Sequence, residues 1–319
     1  MSWSYSPCTT EVPPDAILGS ATDFAQWIDA TRPGLVARFA NAIVPVPTGS
    51  QDGGWVSLYG INLIQVLFKW QPGSKQDQFY QNSQFIGGFL AKPDVIDPDK
   101  PLVIYFPGHE VQPWGTPPGA LWNGTDTGPL AMCRAGYVVW TPANCFYDYL
   151  PPNGQDYQAV WTKAQSVFLD QIMPRVPAHN GIVVTGLSAG AQVAQWLMLM
   201  RPEIKAGVFA GSLCQLEQLR QIAPGSIPPS WDFKGLMTYL PLYLALAPRK
   251  VQWQMGRNDP FWPNGGTISG ARDVISSEFL GDVLSVKSAW SKLGSEAGFL
   301  FHDGGHEFRS ADAIAFIQG

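Results

Sequence analysis

The chain is poor in charge, cysteine and histidine, and each shortage excludes a class of function. Only 14% of its 319 residues are charged, against about a quarter in an ordinary soluble domain. The net charge is −5 and no stretch concentrates Lys and Arg. Nothing could neutralise a run of phosphates, so no nucleic-acid partner is expected. The four cysteines, Cys8, Cys133, Cys145 and Cys214, show no C-x-x-C spacing, which argues against a zinc site. Cys133 and Cys145 flank one candidate strand and could pair, although buried free thiols are the plainer reading. No apolar run reaches the roughly 18 residues of a membrane span. The most apolar segment, Leu236–Leu246, is short and broken by Pro241. The opening Met1-Ser2-Trp3-Ser4-Tyr5 has neither a basic nor an apolar region, so no secretory signal is visible, and the compartment, cytoplasmic or secreted, is not legible. Neither a metal nor a cofactor is expected, and oligomeric state is not legible.

What the chain has in quantity is apolar residues, 45% of the total, enough for a large core. One helix is predicted around Ala21–Ala30. Ile43–Val46, Val56–Tyr59, Leu63–Phe68 and Phe85–Leu90 read as strand and hairpin material. From residue 101 continuous apolar runs alternate with helical periodicity. The runs are Leu102–Phe106, Tyr137–Trp140, Ile182–Thr185, Ala206–Ala210, Val251–Met255 and Gly298–Phe301. The helices between and after them fall near Gln155–Met173, Ala189–Met200, Ala271–Leu293 and Ser310–Gln318. Apolar runs of this kind suit parallel strands covered on both faces, joined by helical crossovers. The expected fold is therefore α/β, a mostly parallel central sheet flanked by helices with antiparallel strands at one edge. The chain reads as one domain over residues 1–319. Residues 1–35 form an N-terminal arm, and residues 213–249 form a cap-like insertion over the carboxyl ends of the strands.

The sharpest chemical signal is Gly186-Leu187-Ser188-Ala189-Gly190. It matches G-x-S-x-G and lies between a buried strand and a helix, the context that a nucleophilic serine turn requires. The small residues permit a sharp turn that lifts Oγ above the sheet and aims a helix N-terminus at the reacting carbonyl. The plainer alternative is a Gly-rich connection. A serine needs a base, and the chain offers His109, His179, His302 and His306. His306 is preferred because it follows the last strand and a flexible Gly304-Gly305 pair. His302, at the strand's end, is the rival. Asp259, in Gly256-Arg257-Asn258-Asp259-Pro260 after the fifth run, is the expected orienting carboxylate, or else a plain turn residue before proline. Asp303 and Glu307 sit too close to His306 in sequence to be preferred. The oxyanion donors are expected from the N–H of Ala189 and from that of His109 in Pro107-Gly108-His109-Glu110, with Glu110 next.

The order serine, aspartate, histidine is that of the α/β-hydrolases. From about residue 40 to its end the chain resembles that superfamily, particularly dienelactone-hydrolase-like and acetyl-xylan-esterase-like enzymes. The resemblance is carried by Pro101–His109, Ala135–Pro142, Gly186–Gly190, Gly256–Asp259 and Gly304–His306. Two departures stand out: Pro107-Gly108-His109 replaces the common His-Gly-x, and the nucleophile is a serine where the dienelactone hydrolases use cysteine. The resemblance implies a carboxylic-ester hydrolase working through an acyl-enzyme on a small-molecule or carbohydrate ester. Aromatic residues suited to sugar rings or aryl groups gather in the loops. Trp114, Trp122 and Trp262, with Tyr239 and Leu242 of the insertion, are the expected substrate contacts. The alternatives are a serine peptidase or amidase of the same fold, and a catalytically inactive binding module.

Overall fold

The computed structural model describes residues 20–37, 39–40, 42, 44, 46–69, 85–108, 128–142, 157–212, 239–259 and 277–319. The strands are β1 (Gly49–Asp52), β2 (Val56–Leu58), β3 (Ile61–Lys69), β4 (Phe85–Lys92), β5 (Leu102–Phe106), β6 (Val139–Pro142), β7 (Ile182–Leu187), β8 (Ile204–Ala210), β9 (Lys250–Gly256) and β10 (Ala297–His302). The α-helices are α1 (Ala21–Ala37), α2 (Gly128–Arg134), α3 (Tyr157–Ile172), α4 (Ala189–Met200), α5 (Tyr239–Ala245), α6 (Ser277–Lys292) and α7 (Ser310–Gln318).

The strands form one sheet in the order β1-β3-β4-β6-β5-β7-β8-β9-β10, with β2 paired to β3. The run from β6 through β10 is parallel. β1, β3 and β4 add an antiparallel edge, joined through the antiparallel β4–β6 pair. The chain leaves β5 for β6 on one side and later returns to β7 on the other. Crossovers that depart to opposite sides open a crevice at the strands' carboxyl ends, where sheets of this type bind ligands.

Two packed layers enclose the sheet, and strand alternation explains both. Along β5, Leu102, Ile104 and Phe106 enter the larger core with residues of α1, α3, α4, α5 and α6. Val103 and Tyr105 point into the smaller core with Leu130, Met132 and Cys133 of α2 and Ala313 of α7. Burial on both faces is why the central runs are continuously apolar. Trp253 of β9, fully buried, is the aromatic hub of the larger core. Its ring centroid lies 5.8 Å from that of Phe209, 5.5 Å from Tyr243, 6.2 Å from Trp290 and 5.2 Å from Phe299. These contacts lock β9 to β8, β10, α5 and α6. Cys133 is a buried free thiol, pushed up to about 12 by desolvation and the Asp94 charge. Cys145 lies outside the described residues.

The structure departs from the sequence expectations in four places. The first helix runs on to Ala37 with Pro33 inside it. The strand expected at Ile43–Val46 does not form at the described Val44 and Val46, and the edge strand begins at Gly49. Helix α2, Gly-Pro-Leu-Ala-Met-Cys-Arg, had no expectation attached to it. The fourth departure concerns the insertion. Residues 213–238 lie outside the described residues, but α5 packs against α1, α4 and α6. Leu242 and Leu246, 1% and 0% exposed, belong to the larger core. Leu242 therefore lies within the helical layer rather than on an open substrate surface, because a segment apolar on all sides is stable only when surrounded. Arg32 of α1 secures it, its Nη2 donating to the carbonyls of Ala245 at 2.9 Å and Ala247 at 2.8 Å. A guanidinium there satisfies carbonyls that the end of the helix leaves unpaired. Among the described residues no helix is long and apolar enough to cross a membrane.

This placement predicts that Leu242→Ala costs about 2–5 kcal/mol of stability, the range for emptying a leucine site in a core. Urea denaturation measures it. A loss below about 0.5 kcal/mol, the range of surface substitutions, would remove this segment from the core.

Candidate active site

Ser188 follows β7, the strand between β5 and β8, and directly precedes α4. Its backbone sits at φ 56°, ψ −125°, a region a residue with a Cβ rarely visits. The neighbouring sequence makes that turn possible. A Cβ on Gly186 would lie 2.7 Å from the N of Ala191, and one on Gly190 would lie 2.3 Å from the carbonyl oxygen of Pro107. Both glycines are therefore required by close approach: the first lets the helix fold back on its strand, the second lets it abut the end of β5. Ser188 N–H donates to Ala210 O at 2.8 Å, pinning the turn to the end of β8. Ser188 is 9% exposed, and Ala189 opens a 12-residue helix buried along nearly its whole length. The N–H groups of the first turn cannot be paired within the helix and carry the positive end of its dipole.

His306 and Asp259 are held together at the same sheet edge. His306 Nδ1 lies 2.7 Å from Asp259 Oδ2, and the two side chains are 14% and 0% exposed. With the carboxylate as acceptor, Nδ1–H is the donor, so in the neutral tautomer the ring's basic nitrogen is Nε2. That is the tautomer a general base needs.

Two adjacent loops create this pair. β9 and β10 are parallel neighbours with His302 in register with Gly256, so their chains leave the sheet side by side. Arg257 N–H donates to His302 O at 2.8 Å, and Asn258 N–H to Gly304 O at 3.1 Å. Asn258 Nδ2 donates to Asp303 O at 2.6 Å. Farther along, Gln254 Oε1 accepts from Arg309 N–H at 2.9 Å while its Nε2 donates to Arg309 O at 3.2 Å. Gln254 is fully buried, so these bonds are shielded from water. A third wall comes from the turn after β8. Gly211 has φ +55°, and a Cβ there would lie 2.8 Å from His306 Cε1 and 3.5 Å from Asp259 Oδ2. Ser212 is fixed behind it, its hydroxyl accepting from Gln195 Nε2 of α4 at 3.0 Å and its carbonyl from Tyr243 OH at 3.1 Å.

The structure thus brings Ser188, Asp259, His306 and the N-terminus of α4 to the carboxyl ends of adjoining strands. His302 is instead turned into the base of the last loop, where its Nδ1 accepts from Gly304 N–H at 3.1 Å. His179 lies in the turn before β7, at the opposite sheet edge, with Nδ1 3.0 Å from Pro177 O. Gly108 leaves β5 beside Leu187, so the loop expected to carry the second oxyanion donor starts next to the serine turn. His109 and Glu110 themselves lie outside the described residues, as do Trp114, Trp122 and Trp262 and the side chain of Tyr239. Sequence reasoning missed Gly211 and Gln254. A glutamine inside the apolar run Val251–Met255 was the available signal for the latter, since a polar side chain on a buried strand needs a partner.

No family model matches the chain, and no curated protein matches it. Solved structures do. A CE15 glucuronoyl esterase from Teredinibacter turnerae superimposes with a TM-score of 0.62 at 17% identity, over 98% of this chain and 88% of that one. A glucuronoyl esterase from Solibacter usitatus gives 0.61 at 11% identity, covering 94% and 93%. Acetyl xylan esterase 1 from Thermoanaerobacterium gives 0.50 at 13%, covering 97% and 98%. The chain has the α/β-hydrolase fold. At these identities the likeness is one of architecture, and the chemistry has to be argued from the site.

Gly211→Ala tests the packing around the pair. A left-handed alanine costs about 1–2 kcal/mol, and its Cβ would push on the imidazole. The low-field proton NMR resonance of the His306–Asp259 hydrogen bond should move upfield or disappear in the variant. A resonance identical to that of the parent would show that Gly211 does not set the pair.

Proposed function

We propose that this chain is a serine carboxylic-ester hydrolase that works through an acyl-enzyme on esterified carbohydrate, with Ser188, His306 and Asp259 as its triad. The observation that carries the reading is the 2.7 Å His306–Asp259 hydrogen bond at the sheet edge where Ser188 forms its strained turn. The hydroxyl, the base and the orienting carboxylate are furnished by three separate strand ends, in the chain order of this fold.

In the first half-reaction His306 Nε2 takes the Ser188 hydroxyl proton as Oγ attacks the ester carbonyl. Asp259 steadies the imidazolium that forms and keeps its own charge. The carbonyl oxygen gains negative charge opposite the N-terminus of α4, where the Ala189 N–H donates to it. The loop leaving β5 supplies the second donor, with His109 N–H as the candidate. Collapse of the tetrahedral intermediate breaks the C–O bond, and His306 returns its proton to the departing alcohol. Water then enters, gives a proton to Nε2, and attacks the acyl carbonyl to release the acid and restore Ser188.

The choice of carbohydrate esters is supported by the neighbours, which are named for acetyl xylan and glucuronoyl esters. The expected loop tryptophans Trp114, Trp122 and Trp262 suit sugar rings. A peptidase reading has no comparable observation behind it.

Hydrolysis of p-nitrophenyl acetate, acetylated xylan and a glucuronoyl ester by the purified chain tests the proposal. Ser188→Ala should lower kcat by on the order of 10⁶, about 8 kcal/mol of barrier, as nucleophile removal does in the subtilisin series. His306→Ala should do nearly the same. A tenth of the parent activity surviving in Ser188→Ala would exclude Ser188 as nucleophile.

A further inference from the structure

The mechanism uses one of the two histidines of the last loop and leaves the other unexplained. His302 ends β10, with its side chain only 8% exposed. Its Nδ1 accepts from Gly304 N–H at 3.1 Å, an arrangement available only to a neutral ring that carries its proton on Nε2. Among the described residues that Nε2 is buried without a hydrogen-bond partner, so the Nδ1 contact is the one that accounts for a polar ring here. Glu307 Oε1 lies on the same side, 3.7 Å from Nδ1 and beyond hydrogen-bond reach.

Gly304 is wedged between these groups. A Cβ there would lie 2.1 Å from Glu307 Oε1 and 2.9 Å from His302 Nδ1. Its N–H is held by His302 and its carbonyl by Asn258 N–H at 3.1 Å, the residue before Asp259. The Gly304 peptide, two residues before His306, fixes the spacing between the acid's loop and the base's loop and is therefore anchored on His302.

We propose that neutral His302 is a positioning residue for His306 and an acid-sensitive latch on the loop that carries it. The inference rests on the reading of His306 as general base. A proton on Nδ1 turns the acceptor of the Gly304 N–H into a second donor pointing at it. The nearest alternative partner is Glu307 Oε1, 3.7 Å from Nδ1, and a protonated ring that turns to it releases the Gly304 N–H. His306 then loses its register with Asp259.

The charges around the ring set where this happens. Burial opposes protonation most strongly, and the Arg309 guanidinium adds to it. The carboxylates of Glu307, of Asp312 on α7 and of Asp259 after β9 favour protonation. Glu307 and Asp312 are themselves engaged by Arg309, at 3.3 and 3.4 Å. Arg257 and Asp303 pair at 3.4 Å on the loop's outer, exposed side. Burial prevails and holds His302 below the ordinary histidine value, near 6.5. The latch is closed at neutral pH and opens as the pH falls below that value.

Two variants separate this role from plain packing. In His302→Asn the side-chain oxygen takes the place of Nδ1 as acceptor and cannot titrate. His302→Leu fills the space without an acceptor. Steady-state kinetics on p-nitrophenyl acetate across the acid range are normalised to active sites counted by fluorophosphonate titration. His302→Asn should keep kcat within about threefold of the parent at neutral pH, and the acid limb of its profile should relax from a two-proton toward a one-proton slope. His302→Leu should lose kcat by on the order of 10², the scale of a small misplacement of a reacting group, with little change in KM. Parent-like kcat in His302→Leu, or an acid limb in His302→Asn as steep as the parent's, would overturn the latch. If His302→Leu does not fold, the slope in His302→Asn decides alone. Failure of the triad itself is distinguishable, because Ser188→Ala would then retain activity whatever His302 does.

Discussion

A serine held at φ 56° between a central strand and a buried helix is the constraint around which the rest is arranged. Such a backbone costs on the order of 1–3 kcal/mol and persists only where its surroundings over-determine it. Here they do. β7 is hydrogen-bonded along both edges, to β5 and β8. α4 is enclosed in the larger core through Val193, Trp196, Leu197 and Met198, none more than 1% exposed. Strand and helix are each anchored by more burial than the turn costs, so the turn must accept the geometry they leave. The glycines at 186 and 190 follow from that constraint, since the helix could not otherwise lie against the ends of β7 and β5.

The histidine and the carboxylate are positioned by a different device. Neither is on a regular element, and both could be mobile on loops of this length. The β9 and β10 loops are instead joined to each other by backbone bonds and clamped by Gln254. The Trp253 cluster holds β9 in the core beneath them. Rigidity in the core is thereby passed to side chains at the rim. A buried carboxylate beside an imidazole is costly unless it is paired, and the 2.7 Å hydrogen bond from His306 Nδ1 supplies a partner to Asp259.

Much of this was legible in the sequence because it is local. The apolar runs marked β5, β7, β8, β9 and β10 to within a few residues, and Ala189–Met200 matched α4 at both ends. Gly186–Gly190 announced the turn, since its geometry depends on five adjacent residues. The pairing of Asp259 with His306 is expected from their places just after the fifth and sixth apolar runs and from their order in the chain, and the two side chains are in contact. What escaped was decided at a distance. Segment 239–246 is apolar throughout, and a sequence does not say whether such a surface faces substrate or core. The helix packs against α1, α4 and α6, and its described side chains Leu242 to Ala245, with Leu246 after them, are buried in the core. Gly211 looked like any turn glycine, because the imidazole it accommodates is 95 residues away in sequence.

The central claim is that Ser188 is a nucleophile activated by the His306–Asp259 pair, and direct detection of its covalent adduct tests that claim. The chain is treated with a fluorophosphonate, digested, and the modified peptide mapped by mass spectrometry. The account predicts one stoichiometric adduct, on Ser188, that forms far more slowly when His306 is replaced by alanine. An adduct on another residue, or labelling of Ser188 at the same rate without His306, would contradict it.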